Sequence, residues 1–536
     1  MRAHPRPRDP KQPVRTMAVA TAVATVWPDD GRAPRRTLMK YALRAFVSAL
    51  MLAGACVLVV AAVLAVATGL VVALAAGGAW AVLAGIVVVA VLAAVALMVL
   101  HVRRRLQTRL AGVPVTSDDQ PLLWMEVYRV AEGLGVRPPD ELLLAPDATV
   151  VASESRTWLP RRPGARRLQL GEVLLAGLTE RQLRAVIARE FCRRWGPTSL
   201  GWVVHRGNEV IGRVVDLVGE DSRAGRIARR YGRAYAAVSR PVTRRHELEA
   251  DRLSAEFVGN AATSSALREV AVLSKGWDAF VDAYAVPAAA MHRRPKDLFA
   301  GFGCFIEEPT RRAQLAETVG EEASQPQSKY DIHPSLGDRL AAIASLPDDD
   351  MHDKSGRALG LLRHSDREIR RVEDCMFQDP DLMPSTWEEI VPEAGRAVAR
   401  EDALKLVRLG KEGGLGPTLS VETLLDIVRL ELADEMVRPL LGEGAPPEAE
   451  RQLVGRLVTA FLATAAIGSG TVSYRLSWAG PWPLVDGRGE VEELPRLVDA
   501  ALADPVEVGA LELWLSTHQL GLELELGEDP LPILMP

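Results

Sequence analysis

The chain has 536 residues, with 69 acidic against 64 basic side chains and a net charge of −5, which excludes polyanion binding by the chain as a whole. Its 48% hydrophobic and 25% charged residues are those of a folded protein and exclude wholesale disorder. The four cysteines, Cys56, Cys192, Cys304 and Cys375, form no CxxC pair, so neither a disulfide framework nor a cysteine-rich zinc module is expected.

Residues 1–44 read as a disordered basic tail, rich in Pro, Arg and Ala and without helical period. From Ala45 to Leu100 there is no Asp, Glu, Lys or Arg in 56 residues. A bilayer core takes about 20 apolar residues per helix, so this stretch predicts two spans, roughly Ala45–Leu74 and Ala79–Leu100. Gly77-Gly78 marks the turn, and Trp80 suits an interface. Arg35, Arg36, Lys40 and Arg44 precede the hairpin, and Arg103, Arg104, Arg105 and Arg109 follow it. Positive-inside logic places both termini and everything after Arg103 in the cytoplasm.

In the next region Leu122, Leu123, Val127, Val130 and Leu134 fall at helical spacing before Pro138-Pro139. Glu141–Ala145 and Arg166–Gly171 predict short strands around a polar loop. Thr179 and Gln182 have capping-box spacing ahead of the apolar Leu183, Val186 and Ile187. That helix carries Arg189-Glu190-Phe191-Cys192-Arg193. From Arg156 to Arg245 there are 20 Arg and no Lys against 7 acids, and Arg223, Arg226, Arg230 and Arg233 share one helix face. Such a face suits anionic lipid headgroups. It lacks the aromatic platforms of single-strand nucleic-acid binders, so no nucleic-acid partner is expected. Further on stand Arg245-His246-Glu247-Leu248-Glu249-Ala250-Asp251, then Tyr330-Asp331-Ile332-His333-Pro334-Ser335 with Asp338-Arg339-Leu340.

Taken in order, these three segments resemble the HtpX and CAAX-prenyl-protease family of membrane-bound zinc metallopeptidases, over about residues 110–345. The first matches its AHExxH helix, the second its ExxxD helix, the third its HPS element. The resemblance implies a helical zincin-like domain behind a membrane hairpin. It places Glu190 at the general-base position, zinc ligands at Arg189, Arg193 and Glu247, and Asp251 and His333 within the site.

The chemistry of the segment departs from the family. Two imidazoles at i and i+4 offer lone pairs to Zn²⁺, and the Glu between them polarises the metal-bound water. Here both ligand positions are Arg, which is always protonated and accepts nothing. We therefore expect no zinc, and instead an ion-pair network of Arg189, Arg193, Glu190 and Glu247, with Asp251 beside it. The two guanidiniums bring the +2 charge of the absent ion. A rebuilt metal site would have to recruit Cys192, His205, His246 or His333.

Helices are expected over Leu267–Tyr284 and from Lys296, with Trp277 and Phe280 in the core, and Glu317–Ser328 reads as a loop. Residues 346–380 read as a linker, opening on the acidic Leu346–Lys354. Residues 381–536 predict an acidic α/β domain, with helices at Asp402–Leu409, Glu422–Glu431, Glu448–Ile467 and Leu494–Ala503. A glycine-rich break at Gly410–Pro417, a strand at Thr471–Trp478 and a turn at Asp486-Gly487 complete it. The fold expected overall is mainly α (α+β): a transmembrane hairpin over 45–102, a metallopeptidase-like domain over 103–345 and the C-terminal domain. The function expected is that of an inactive family member that binds or regulates a protein partner through its groove or its C-terminal domain. The alternatives are an active zinc metalloendopeptidase with a non-standard metal site, and an interaction module built on the C-terminal domain.

Overall fold

The computed structural model describes residues 35–76, 86, 112–154, 164–195, 204, 207–208, 210–215, 223–325, 331–347, 354–377, 379–441 and 446–527. The tail to residue 34, the second expected span apart from residue 86, and His205 lie outside them. The chain is mainly helical with small sheets. It divides into two compact units, Met1–Ser274 with Ala316–Met376, and Lys275–Leu315 with Phe377–Pro536. This corrects the expected boundary at 345, because residues 275–315 belong with the C-terminal unit.

The chain first forms helix α1 (Arg35–Ala76), 42 residues and about 63 Å long at 1.5 Å per residue. It carries no charged residue from Ala45 to Ala76. Counting only described side chains, no helix is long and apolar enough to cross a membrane; many side chains of α1 lie outside that description.

In the first unit, β1 (Val113–Val115), β2 (Glu141–Ala145), β3 (Val150–Glu154) and β4 (Arg166–Gly171) make one sheet in the order β1-β2-β4-β3. The central β2 and β4 run parallel, pairing Leu142 with Leu168 and Leu144 with Leu170, and all four leucines are buried. The outer strands pair antiparallel. β3 lies where the sequence predicts only a loop. Its VVASE pattern is short, and only Ala152 is fully buried. α2 (Pro121–Gly133) turns Leu123, Val127 and Val130 inward, while Leu122 stays half exposed.

The short α3 (Glu172–Gly177) leads into α4 (Glu180–Trp195). The capping box forms as the spacing predicts: Thr179 N–H donates to Gln182 Oε1 at 2.9 Å, and Gln182 N–H to Thr179 Oγ1 at 3.2 Å. The expected basic helix and the ExxxD helix are one, α5 (Arg223–Val258), which ends before Gly259 at φ +114°. α6 (Asn260–Phe280) follows. The expected loop after Glu317 is instead part of helix α9 (Pro309–Ser324), in which Leu315 and Val319 bury at i and i+4. α10 (Leu336–Ala344) starts at Ser335, whose Oγ accepts from Asp338 N–H at 3.0 Å.

Much of the expected linker is packed structure. A 3₁₀ turn (Ala358–Leu361) and α11 (Ser365–Met376) bury Ala358, Leu361, Leu362 and Val372. Glu180 N–H donates to Gly356 O and Ala358 N–H to Leu178 O, both at 2.9 Å. Gln120 exchanges two bonds with the Arg363 backbone, at 3.0 and 2.7 Å. The apolar residues of this strap are sparse among charges, which hid it in the sequence. Under it lies Glu172, fully buried, with no hydrogen-bond partner on either oxygen. Burial, and then the Glu368 and Glu373 charges of α11, push its carboxyl up to about 7.

Among the described residues the second unit is mainly helical with three two-stranded ribbons, where an α/β domain is expected. A π-helical turn (Val281–Ala285) continues α6 into α7 (Val286–Ala290), followed by β5 (Arg293–Pro295) and α8 (Leu298–Glu307). The C-terminal part supplies β6 (Met383–Ser385), which pairs with β5, and α12 (Trp387–Glu412). Beyond Gly413, Gly414 and Gly416 take φ of +87° and +111°, where the glycine-rich break is expected. α15 (Pro447–Gly468) packs along α12 through Leu406, Val407, Leu457, Phe461 and Leu462, after β7 (Thr418–Ser420), α13 (Val421–Arg429) and α14 (Ala433–Val437). β8 (Val472–Tyr474) realises only the first part of the expected strand and pairs with β9 (Leu484–Asp486). α16 (Leu494–Ala503), α17 (Val508–Thr517) and β10 (Glu525–Gly527) close the unit. Trp277 and Phe280 are in its core. Trp277 stacks on Phe299 at 5.4 Å, and Phe280 and Tyr284 join Phe305, Trp387 and Trp478.

Candidate functional site

The site is built by α4, α5 and the segment opening α10, all in the first unit. Arg189, Glu190 and Arg193 share one turn of α4. His246, Glu247 and Asp251 stand on α5. Glu190, Glu247 and Asp251 are all buried. A buried carboxylate must find charge or hydrogen-bond donors, and each of these finds guanidinium.

Arg189 bridges two carboxylates. Its Nη2 donates to Glu247 Oε2, and its Nε to Asp251 Oδ1 at 2.7 Å. Arg193 folds back along its own helix to grip Glu190 with a two-point fork at 2.8 and 2.7 Å. Glu190 Oε1 also accepts from Ala152 N–H of β3 at 3.0 Å. A third guanidinium, Arg339 of α10, grips Asp251 at 2.7 and 2.9 Å. Three guanidiniums therefore face three carboxylates, and the formal charge cancels. His333 Nδ1 lies 3.5 Å from Glu247 Oε1, with the ring largely exposed.

Burial pushes the Glu247 carboxyl up. The His333 hydrogen bond and the Arg189 and Arg193 charges outweigh it and hold the group well below its ordinary 4.5. Burial likewise favours the neutral form of Arg189, and the Glu247 and Asp251 charges override it. The other expected participants do not converge here. His246 Nε2 donates to the Arg193 carbonyl at 2.8 Å, near the end of α4. Burial, aided by Glu249 and Glu256, pushes the Cys192 thiol up to about 12, so it stays protonated.

This donor set does not fit a zinc ion. Zinc needs three or four lone-pair donors around one point. Among the described residues no group of three or more His, Cys, Asp and Glu is placed to hold a metal. Glu247 and Asp251 point their oxygens at guanidinium nitrogens. Glu190 has both oxygens engaged by Arg193 and Ala152, which leaves it poorly placed to activate a water.

Two participants escaped the sequence reading. Arg339 lies in the quoted Asp338-Arg339-Leu340, but nothing local marks it as the partner of a residue 88 positions away. The Ala152 N–H is a backbone donor, invisible without β3. Compared with family profiles, curated proteins and solved structures, the chain matches none.

Proposed function

We propose that this chain is a membrane-anchored pseudoprotease on the scaffold of the HtpX and CAAX-prenyl-protease family, in which an arginine–carboxylate network stands in place of the zinc centre. The observation that carries the reading is Arg189, seated between Glu247 and Asp251; the resemblance gives its position to a zinc-ligand histidine. A guanidinium there supplies positive charge and two-point hydrogen bonding to the same carboxylates. It supplies no Lewis-acid centre and no ligand. The fold's charge balance is thereby kept while its hydrolytic chemistry is given up, and the protein acts by binding or regulating a partner.

The membrane part of the proposal rests on α1. Phe46, Leu50, Val57, Leu64 and Val71 are each 60% exposed or more along it, an apolar surface that water does not tolerate at this length. Its basic flank then faces the cytoplasm, with both termini on that side.

The test is metal content by elemental mass spectrometry on the full chain purified in detergent, beside a Glu247→Ala control. The expected result is no zinc in either. Stoichiometric zinc that is lost in the control would mean that ligands were recruited around Glu247, and it would overturn the proposal in favour of an active metalloendopeptidase.

A further inference from the structure

The strap over the first unit closes on a carboxyl group that the fold leaves without a partner. Glu172, the first residue of α3, is fully buried. Neither of its oxygens has a hydrogen-bond partner among the described residues, so the N–H groups of the first turn of α3 do not reach them. A buried carboxylate in this position is costly to ionise, and a native structure rarely keeps such an unsatisfied group without a use for it.

The charged groups on the surrounding elements are engaged or turned away. β4, which leads into α3, carries Arg166 and Arg167, and these pair with Glu154 and Glu141. The 3₁₀ turn Ala358–Leu361 has no charged side chain, and Arg357 before it and Arg363 and His364 after it are exposed. α11 turns Glu368, Val372 and Glu373 inward and leaves Asp366, Arg367, Arg370 and Asp374 exposed. Its Arg371 pairs with Glu368 at 2.6 Å. Burial, and then the like charges of Glu368 and Glu373, push the Glu172 carboxyl up to about 7. The opening residues of the strap are tied by the Gly356, Ala358 and Arg363 backbone bonds and by Arg181 N–H, which donates to Ser355 Oγ at 3.1 Å. α11 instead presents to the unit beneath it one fully buried apolar side chain, Val372, and two carboxylates. Loss of the Glu172 proton sets a third carboxylate beside those two.

We propose that the strap is a pH-responsive latch, closed on the first unit while Glu172 is protonated and loosened at α11 when Glu172 gives up its proton. It depends on neither the membrane nor the zinc reading. An open strap puts the carboxyl in water, where its ordinary value is 4.5, so closing takes up a proton. The latch is tightest below that value. It weakens by up to about tenfold per pH unit as pH rises toward 7, and the loss levels off above 7. α11 is the last element of the first unit before the chain enters the second at Phe377, so loosening it lengthens the connecting chain.

The experiment is hydrogen–deuterium exchange of the full chain purified in detergent, read by mass spectrometry from pH 5 to pH 8 and corrected for the intrinsic pH dependence of exchange. Protection of peptides from residues 356–376 should fall by at least about tenfold across this range, while peptides from β2 and β4 keep theirs. Glu172→Gln has no proton to lose and should abolish the fall. Glu373→Gln leaves Glu172 able to titrate but removes one like charge, so it should shrink the fall; it also serves as the second route should Glu172→Gln fail to fold. Protection of the strap that is independent of pH, a fall shared equally by β4, or a fall undiminished in either folded variant would overturn the proposal.

Discussion

Replacing Arg189 by Leu removes one guanidinium from a site where three positive and three negative charges cancel. Asp251 keeps both Arg339 bonds, but Glu247, buried, is left with His333 at 3.5 Å. Breaking a buried pair from one side costs about 3–5 kcal/mol. The surviving Arg339 fork and the partial exposure of Arg189 put this case near the lower end, about 3 kcal/mol. Removing the stranded acid as well, in Arg189→Leu/Glu247→Leu, should restore all but about 1 kcal/mol, because two apolar groups no longer carry a desolvated charge. The pH dependence has a fixed sign. A carboxyl held below 4.5 in the folded state contributes stability above that pH and loses it as pH falls. The deficit of the single variant should therefore be full at pH 7 and shrink below pH 4.5. Thermal unfolding of the full chain in detergent, followed for the first unit across this pH range, is the assay. A single variant as stable as wild type at pH 7, or a double variant no better than the single, would refute the ion-pair reasoning.

Arg189→His/Arg193→His places two imidazoles at i and i+4 beside Glu247 and, on the proposed reading, should take up zinc in near-stoichiometric amount; a folded variant without zinc would show that more than these two positions is missing. Glu172→Gln should stabilise the chain by roughly 3 kcal/mol at pH 8 and not at pH 4, since a carboxyl raised from 4.5 to about 7 loses stability as pH climbs through that window; a pH-independent effect in thermal melts would contradict this. Gly395→Ala places a Cβ 2.5 Å from the Tyr474 ring and should cost about 1–3 kcal/mol by overpacking, read as a lower midpoint for the second unit alone.

What the sequence conveyed was local. The strands Glu141–Ala145 and Arg166–Gly171 and the Thr179–Gln182 box are specified by residues within a few positions of one another. The i, i+4 spacing that puts Arg189 and Arg193 on one helix face is equally local, as is the Ser335 cap. Long-range partners were not legible. Arg339 reaches Asp251 across 88 positions, and the strap at 354–376 is held largely by backbone bonds to residues near 120 and 180. The Leu315 and Val319 pair of α9 is too sparse a stripe to outweigh the polar residues around it. The sequence placed residues 275–315 with what precedes them, because their aromatic partners, Trp387 and Trp478, lie far downstream.

The crossing of the chain between its two units sets the timing of its synthesis. Lys275–Leu315 is made first, and the chain then returns to complete the other unit before the partners of that segment exist. Trp478 leaves the ribosome 173 residues after Phe305, on the order of ten to thirty seconds later at typical elongation rates. Until Trp387 and then Trp478 emerge, Phe280 and Tyr284 lack those two rings. A cut near residue 345 would leave Phe280 and Tyr284 without Trp387 and Trp478 permanently.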